Sequence, residues 1–326
     1  MMLLFAQEAA TTPSALNPLL SQFLQAGLDG LAFGALIALI ALGYTMVYGI
    51  VELINFAHGD LFMLGGFLAL TLFTAFGWKD KADASAVVVV LAVLGVMLIS
   101  MVFCAGLNMA VDHLVYKPLR NAPKLAPLVS AIGVSFVFMN IGLFWGGAQD
   151  VNFPKLVPSV NLLAESTGLR FSMKDVLIYS VTIPLMIGLT LFVKYSRLGK
   201  AMRATAQNPV AARLMGINTN LIISLTFGIG GALAGAASIV YALNINTISY
   251  TMGFQNGLYA FTAAVLGGIG RIPGAVLGGL LIGLVRSLGS TYVGEKWVGV
   301  LIFGILIVIL VFRPTGLLGS PTREKV

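Results

Sequence analysis

GALIALIALGYTMVYGIVELINFAHGDLFMLGGFLAL, residues 34–70, holds two apolar runs separated by a polar break, Glu52 to Asp60. A hydrocarbon core of about 30 Å needs roughly 20 apolar residues per helix. The two runs approach that size on either side of the break, and comparable runs recur along almost all 326 residues. The chain is 58% hydrophobic and only 10% charged, with a mean hydropathy of +0.97. Soluble domains carry about a quarter charged residues. The fold class is therefore an all-α polytopic membrane protein. Its 38 glycines suit helices that approach one another through small residues.

Outward from that stretch, the apolar pattern predicts spans near 28–50, 60–77, 86–112, 126–148, 174–194, 220–243, 256–270, 273–290 and 298–312, about eight or nine transmembrane or half-membrane helices. The second, seventh and eighth are short or interrupted by Gly and Pro, which predicts half-helices or re-entrant pieces. MMLLFAQEAA has too short an apolar core and no basic start for a cleavable signal. Residues 1–27 are read as an N-terminal segment, 28–312 as the membrane domain with an inserted loop at 195–219, and 313–326 as a C-terminal tail. A weak echo between 55–70 and 261–280, each with a Leu-Gly-Gly step, suggests an internal repeat of the kind that places broken helices near the midplane. Chance likeness between Gly-rich helices is the alternative. The pairs Gly30/Gly34, Gly231/Gly235, Gly274/Gly278 and Gly279/Gly283 mark close crossings.

Charge placement orients the spans. One set of loops holds twelve basic residues, Lys117, Arg120, Lys124, Lys194, Arg197, Lys200, Arg203, Arg213, Arg271, Arg313, Arg323 and Lys325, against Asp112 and Glu324. In the other set, six basic residues meet six acidic ones. Basic loops stay inside, so the first set faces the cytoplasm, with the C-terminus inside and, for an odd number of crossings, the N-terminus outside. The net charge of +7 sits in short loops, without the stripe interleaved with aromatics that nucleic-acid binding requires.

The chain carries no enzyme constellation. H-E-x-x-H, G-x-S-x-G and Cys/His metal clusters are missing. So is a phosphate loop, because Gly199-Lys200 is followed by Ala201, which has no hydroxyl for Mg²⁺. The single cysteine, Cys104, lies in an apolar run and reads as a small buried hydrophobe. No catalytic, cofactor or metal site is expected on this chain.

Two polar features interrupt the spans. Glu52, Asn55, His58 and Asp60 fall within nine residues, and Gly59 can break a helix. Charged groups cost about 2.5–3.5 kcal/mol at a membrane helix centre. The cluster is thus either a solvated cytoplasmic turn, a broken helix lining a substrate path or gate, or a proton relay through His58 and Asp60. Arg286, within GGLLIGLVRSLGS, either snorkels or pairs between helices, or meets a substrate carboxylate. Asn244, Asn246, Gln255 and Asn256 read as a solvated outer connection.

The third feature is GKAMRATAQNPVAARLMGINTN, residues 199–220. Asn208 can cap a helix that opens with Pro209, and Gly216 suits its left-handed end. An earlier helical piece precedes it. The segment is a folded basic elbow on the cytoplasmic side. It either lies on anionic lipid or docks a soluble partner.

These segments, with TAAVLGGIGRIPGAVLGGLLIGL (262–284), resemble the permease subunits of ABC importers for branched-chain amino acids. The resemblance spans most of the chain. It implies that the elbow is a cytoplasmic coupling helix fitting a groove on an ATPase, with Gly199, Arg203, Ala204, Asn208, Pro209, Ala211 and Gly216 as its central residues. It also implies a second permease, two ATPase subunits holding ATP and Mg, a periplasmic binding protein delivering Leu, Ile or Val, and residence in the bacterial inner membrane. Related permeases carry urea, short amides or other amino acids. A self-sufficient secondary transporter or channel for a small amide, urea or amino acid is the alternative.

Overall fold

The computed structural model describes residues 17–52, 55–78, 85–120, 122–123, 125–158, 160–163 and 168–319. The expected N-terminal segment up to residue 16, the charged connection 79–84 and the tail from 320 lie outside them.

Helix α1 runs from Pro18 to Val51, ten residues earlier than the hydropathy pattern predicts. Asn17 accepts from Leu19 N at 3.2 Å, and Pro18 occupies the first helical position, where its missing N–H costs nothing. The signal is a polar cap, which a hydropathy window does not register. Helix α2 spans His58–Ala75. Helix α3, Ala86–Val111, continues through a π-helical turn, Asp112–Tyr116, to Leu119. Helix α4 spans Leu125–Gly146 and α5 Met173–Tyr195. The elbow follows as α6, Arg197–Gln207, and α7, Pro209–Leu214. Then come α8, Thr219–Ile245, α9, Met252–Gly267, α10, Ile272–Tyr292, and α11, Glu295–Phe312.

Eight of these helices, all but α6, α7 and α9, are long and apolar enough to cross a bilayer. Helix α9 has 16 residues, a half-membrane piece as predicted. Helix α2, at 18 residues, is long enough to cross and so departs from the half-helix expectation, and α10 departs further. It is an unbroken 21-residue helix because Pro273 falls in its first turn, where proline starts a helix and does not interrupt it.

Helix α1 is the axis of the bundle. Every residue from Gly34 to Val47 is buried, which is why this stretch is apolar on all sides. Its main neighbour is α10, and the second most extensive pairing is α3 with α8. Both pairs close through glycine. A Cβ on Gly34 would stand 2.8 Å from Leu280 Cα, and one on Gly235 would stand 2.6 Å from the Ser100 carbonyl. The small-residue pairs of α1, α8 and α10 are close crossings, as their spacing predicts.

Those pairings reveal a repeat. Exchanging α1, α2, α3 and α4 for α8, α9, α10 and α11 maps the α1–α10 contact onto α8–α3. Helix α1 ends on Glu52 at φ 54° and α8 on Asn246 at φ 56°, the only non-glycine residues with positive φ among those described. In each case the next helix begins six residues later, at His58 and Met252. The two starts cross. A Cβ on Gly59 would lie 2.7 Å from Gly257 Cα, and one on Gly253 would lie 2.9 Å from Asp60 Cα. The C-terminal end of α1 lies beside the elbow, and α8 begins there, so the halves run in opposite senses. The register therefore matches 55–70 with 249–264, not with 261–280. The Leu-Gly-Gly echo misaligns the halves because such steps occur wherever two helices must touch.

The face opposite the elbow is closed by a short antiparallel pair, β1 (Val151–Asn152) with β2 (Thr247–Ile248). Near it, Lys174 Nζ donates to the Asn244 carbonyl at 3.0 Å, a cation at the α8 C-terminus. On the elbow side, Leu317 N and Leu318 N donate to the carbonyls of Leu266 and Gly267. The described part of the tail is thus pinned to the α9–α10 turn.

Candidate functional site

The elbow is built as its sequence predicts, and the structure separates its fasteners from its free surface. Ser196 turns the chain out of α5 in an extended conformation and accepts from Gly199 N at 2.9 Å. Gly199 is buried against the last turn of α5, where a Cβ would stand 2.6 Å from the Phe192 carbonyl. One turn later, Arg203 donates to the carbonyls of Val193 and Lys194, groups that a helix C-terminus leaves without partners. Met202 and Thr205 are buried and Ala204 is half-buried. Helix α6 is therefore bolted to α5, and Gly199 and Arg203 are the bolts.

Helix α7 carries the outward face. Asn208 accepts from Val210 N and Ala211 N, both at 3.0 Å, with Pro209 at the first helical position. The exit is a Schellman motif: Ile217 N donates to Ala212 O and Gly216 N to Arg213 O, with Gly216 at φ +80°. That φ demands glycine. Ala212 is buried and holds the helix down, while Pro209, Ala211 and Arg213 face out. Val210, Leu214 and Met215 are 63%, 84% and 82% exposed. A rigid, doubly capped helix that presents three large apolar side chains to water has the character of an interface. Reading by polar and capping residues misses these three. Their signal is the Leu-Met pair at the end of a short helix of small residues, just before Gly216.

The Glu52–Asp60 cluster divides. Glu52, the left-handed cap of α1, is exposed, whereas Asn55, His58 and Asp60 are 2%, 1% and 1% exposed. The solvated-turn alternative therefore fails beyond Glu52, because Gly59 lets the start of α2 sink against α9. Ser135 on α4 donates to Asp60, whose other carboxylate oxygen is buried with no hydrogen-bond partner. The first turn of α2 favours a carboxylate through its exposed N–H groups. The His58 ring packs on Gly43 and edge-on to Tyr44, with centroids 4.8 Å apart. Among the described residues neither ring nitrogen has a hydrogen-bond partner.

Asn55 belongs to a wider buried network that sequence reasoning does not assemble. Tyr116 Oη donates to Asn55 Oδ1 at 3.2 Å. Asn55 Nδ2 donates to Asn108 Oδ1 at 3.1 Å, and Asn108 Nδ2 to the Phe227 carbonyl at 2.6 Å. One turn away, Asp112 accepts from Arg120 at 2.7 Å and from Ser224. Arg120 also donates to Asn220 at 2.6 Å. The π-helical turn of α3 makes this possible by turning both Asp112 and Tyr116 inward, a local rewinding often found at functional positions. The joint after α1 is tied through α3 to the first two turns of α8, the helix that leaves the elbow.

Arg286 stands apart, at the other end of the bundle. Its guanidinium lies 3.9 Å from the centroid of Phe33 and 3.5 Å from Glu295, which makes it an interhelical pair as expected. Phe33 is about 24 Å along α1 from Gly49 beside the elbow. Of the outer asparagines, Asn256 is buried and donates to Met252 O at 2.9 Å. It is a helix-lining residue of α9, and the solvated reading does not hold for it.

Comparison with known proteins covers nearly the whole chain. The family described as "Branched-chain amino acid transport system / permease component" matches residues 27–311. The high-affinity branched-chain amino acid transport system permease protein BraD of Pseudomonas aeruginosa is 42% identical over 314 residues, 95% of this chain and 100% of BraD. LivH of Escherichia coli K12, named in the same terms, is 39% identical over 93% of this chain and 98% of its own. The probable branched-chain amino acid transport permease protein LivH of Methanocaldococcus jannaschii is 29% identical over 90% and 91%. No solved structure matches the chain.

Proposed function

The chain belongs to the family of branched-chain amino acid transport permeases, and from that premise we propose that it is the membrane subunit of an ATP-driven importer. Leu, Ile and Val reach it from a periplasmic binding protein. Two ATPase subunits hold the ATP and Mg, and one of them seats α7 in a groove. A second permease completes the pathway. The basic loops face the cytoplasm of the bacterial inner membrane, with the N-terminus on the outer side. Arg213 and its neighbours lie near anionic lipid.

The observation that carries this reading is the elbow itself. Gly199 and Arg203 fix it to α5, so a push on Val210, Leu214 and Met215 is delivered to the helices and is not absorbed by a loose loop. The elbow also supplies a route onward, because α8 leaves it and enters the Asp112–Arg120–Ser224 network directly.

The test is co-purification of the ATPase subunits with the permease carrying Leu214→Asp and Met215→Asp together. The pair should cut ATPase recovery by about tenfold or more, as for central anchors of an interface, with membrane insertion unchanged. Wild-type recovery would count against docking through α7. Uptake by the permease alone, driven by a proton gradient, would overturn the importer reading.

A further inference from the structure

At the end of the bundle remote from the elbow, a cavity of about 240 Å³ opens between α1, α10 and the start of α11. Asp29, Phe33, Gly283, Arg286, Ser290 and Glu295 line it. We propose that this cavity is a binding site for the free α-amino acid itself, with Arg286 taking the carboxylate and Asp29 the ammonium group. The proposal rests on the permease reading above and adds to it a place on this chain where cargo is held.

Both charged partners are set in position before anything binds. The Arg286 guanidinium is held against the Phe33 ring at 3.9 Å, which fixes its plane for a two-point grip on a carboxylate. Its Nε is buried and has no hydrogen-bond partner among the described residues, although buried donors are nearly always paired. The carboxylate paired with it, Glu295, is loose at 3.5 Å and 63% exposed, and Ser290 holds that carboxylate at 2.6 Å. Asp29 is anchored separately. Gln25 donates to it at 2.8 Å and is itself locked to the backbone of Arg170 through two hydrogen bonds.

The chemistry of the lining selects a zwitterion. With one guanidinium and two carboxylates, the cavity repels a simple carboxylate anion. A simple amine leaves the Arg286 donors unanswered. A molecule with both groups on one carbon satisfies both walls. The volume equals that of about eight waters, room for a whole amino acid of leucine's size. Behind Asp29 and Phe33 a second cavity, of about 170 Å³, is lined by Ala32, Leu36 and Ile245 beside Asp175 and Asn244. It gives an aliphatic side chain somewhere apolar to go.

The sole cysteine, Cys104, is buried, so Ser287→Cys places one accessible thiol at the cavity wall. The test is maleimide labelling of that thiol in the complete transporter, in detergent, without nucleotide or binding protein. Leucine at about 10 mM should slow labelling about tenfold if the site has millimolar affinity. Isoamylamine and 4-methylpentanoate, which each lack one charged group, should protect much less. Adding Arg286→Gln should abolish leucine protection, and Arg286→Lys should restore part of it.

Equal protection by isoamylamine would make this a cation site and overturn the proposal. So would undiminished leucine protection in Arg286→Gln, or no protection in a complex that still imports leucine. If Arg286→Gln does not assemble, the three-ligand series on the intact cavity decides alone. A complex that assembles but imports no branched-chain amino acid would instead bring down the importer reading.

Discussion

The two helix joints of the repeat share a backbone and differ in chemistry. After α1 the chain passes a left-handed Glu52 and restarts at His58. After α8 it passes a left-handed Asn246 and restarts at Met252. Yet the register sets Asn55 against Ser249, His58 against Met252 and Asp60 against Phe254. The first joint, on the elbow side, buries three polar side chains. At the second, Phe254 is 52% exposed and a two-stranded ribbon closes the face. Crossing geometry is common to both halves. At the aligned positions, buried polar side chains belong to the first joint alone, and buried polar groups in membrane helices are costly enough to mark function.

The shared part of this comparison breaks with the largest effect. Gly59→Val and Gly253→Val should each abolish folded protein, since both put branched carbons where backbone from the opposing helix stands. Size-exclusion profiles of the two variants should look alike, and a well-folded Gly253→Val would refute the crossing. The difference between the joints comes next. Asp60→Asn should lower leucine uptake about tenfold or more, the scale of a charge-assisted hydrogen bond, in a complex that assembles normally. Phe254→Asn should leave uptake within about twofold. Equal losses would erase the distinction between the two joints.

A smaller contrast lies within the networks. Asn108 bridges Asn55 and the Phe227 carbonyl, whereas among the described residues Asn256 bonds to its own helix. Asn108→Ala should therefore cost about 1–3 kcal/mol by stranding two buried groups, and Asn256→Ala less, as read from thermal unfolding of the purified permease. The smallest effect is at the caps. Glu52→Gly should stabilise by up to about 1 kcal/mol, and Asn246→Gly by less, because asparagine tolerates the left-handed region better than glutamate. The same melting curves measure both.

Much of this architecture is legible in the sequence. Membrane-length runs, the Gly-x-x-x-Gly crossings and the Asn208-Pro209 and Gly216 signals are local, and the structure realises each of them. What escapes is whatever depends on which helix lies alongside. The polarity of ELINFAHGD suggests water, yet His58 is buried on α1, and Gly59 and Asp60 on α9 and α4, the last two far away in sequence. The repeat hides because its marks are two left-handed caps of different residue type, Glu52 and Asn246, while the conspicuous glycines recur at every contact. Arg203 is noticed for its charge, but its work is to close the carbonyls of α5. Val210, Leu214 and Met215 are unremarkable in an apolar chain until the structure shows them uncovered. Asp29 goes unnoticed because its partner Gln25 and the cavity it faces are visible only once α1 begins at Pro18.

The fastening of the elbow also sets what a stroke at α7 can do. Arg203 ties its entrance to the end of α5, and the Gly216 turn leaves only Ile217 and Asn218 before α8 begins. Such a piece has no slack. A displacement of its tip by an ångström or two reaches the first turns of α8 almost undiminished, where Asn220 and Ser224 grip Arg120 and Asp112. Those bonds join α3 to α8 at that point. From there α8 extends to Asn244 and Ile245, at the wall of the outer cavities.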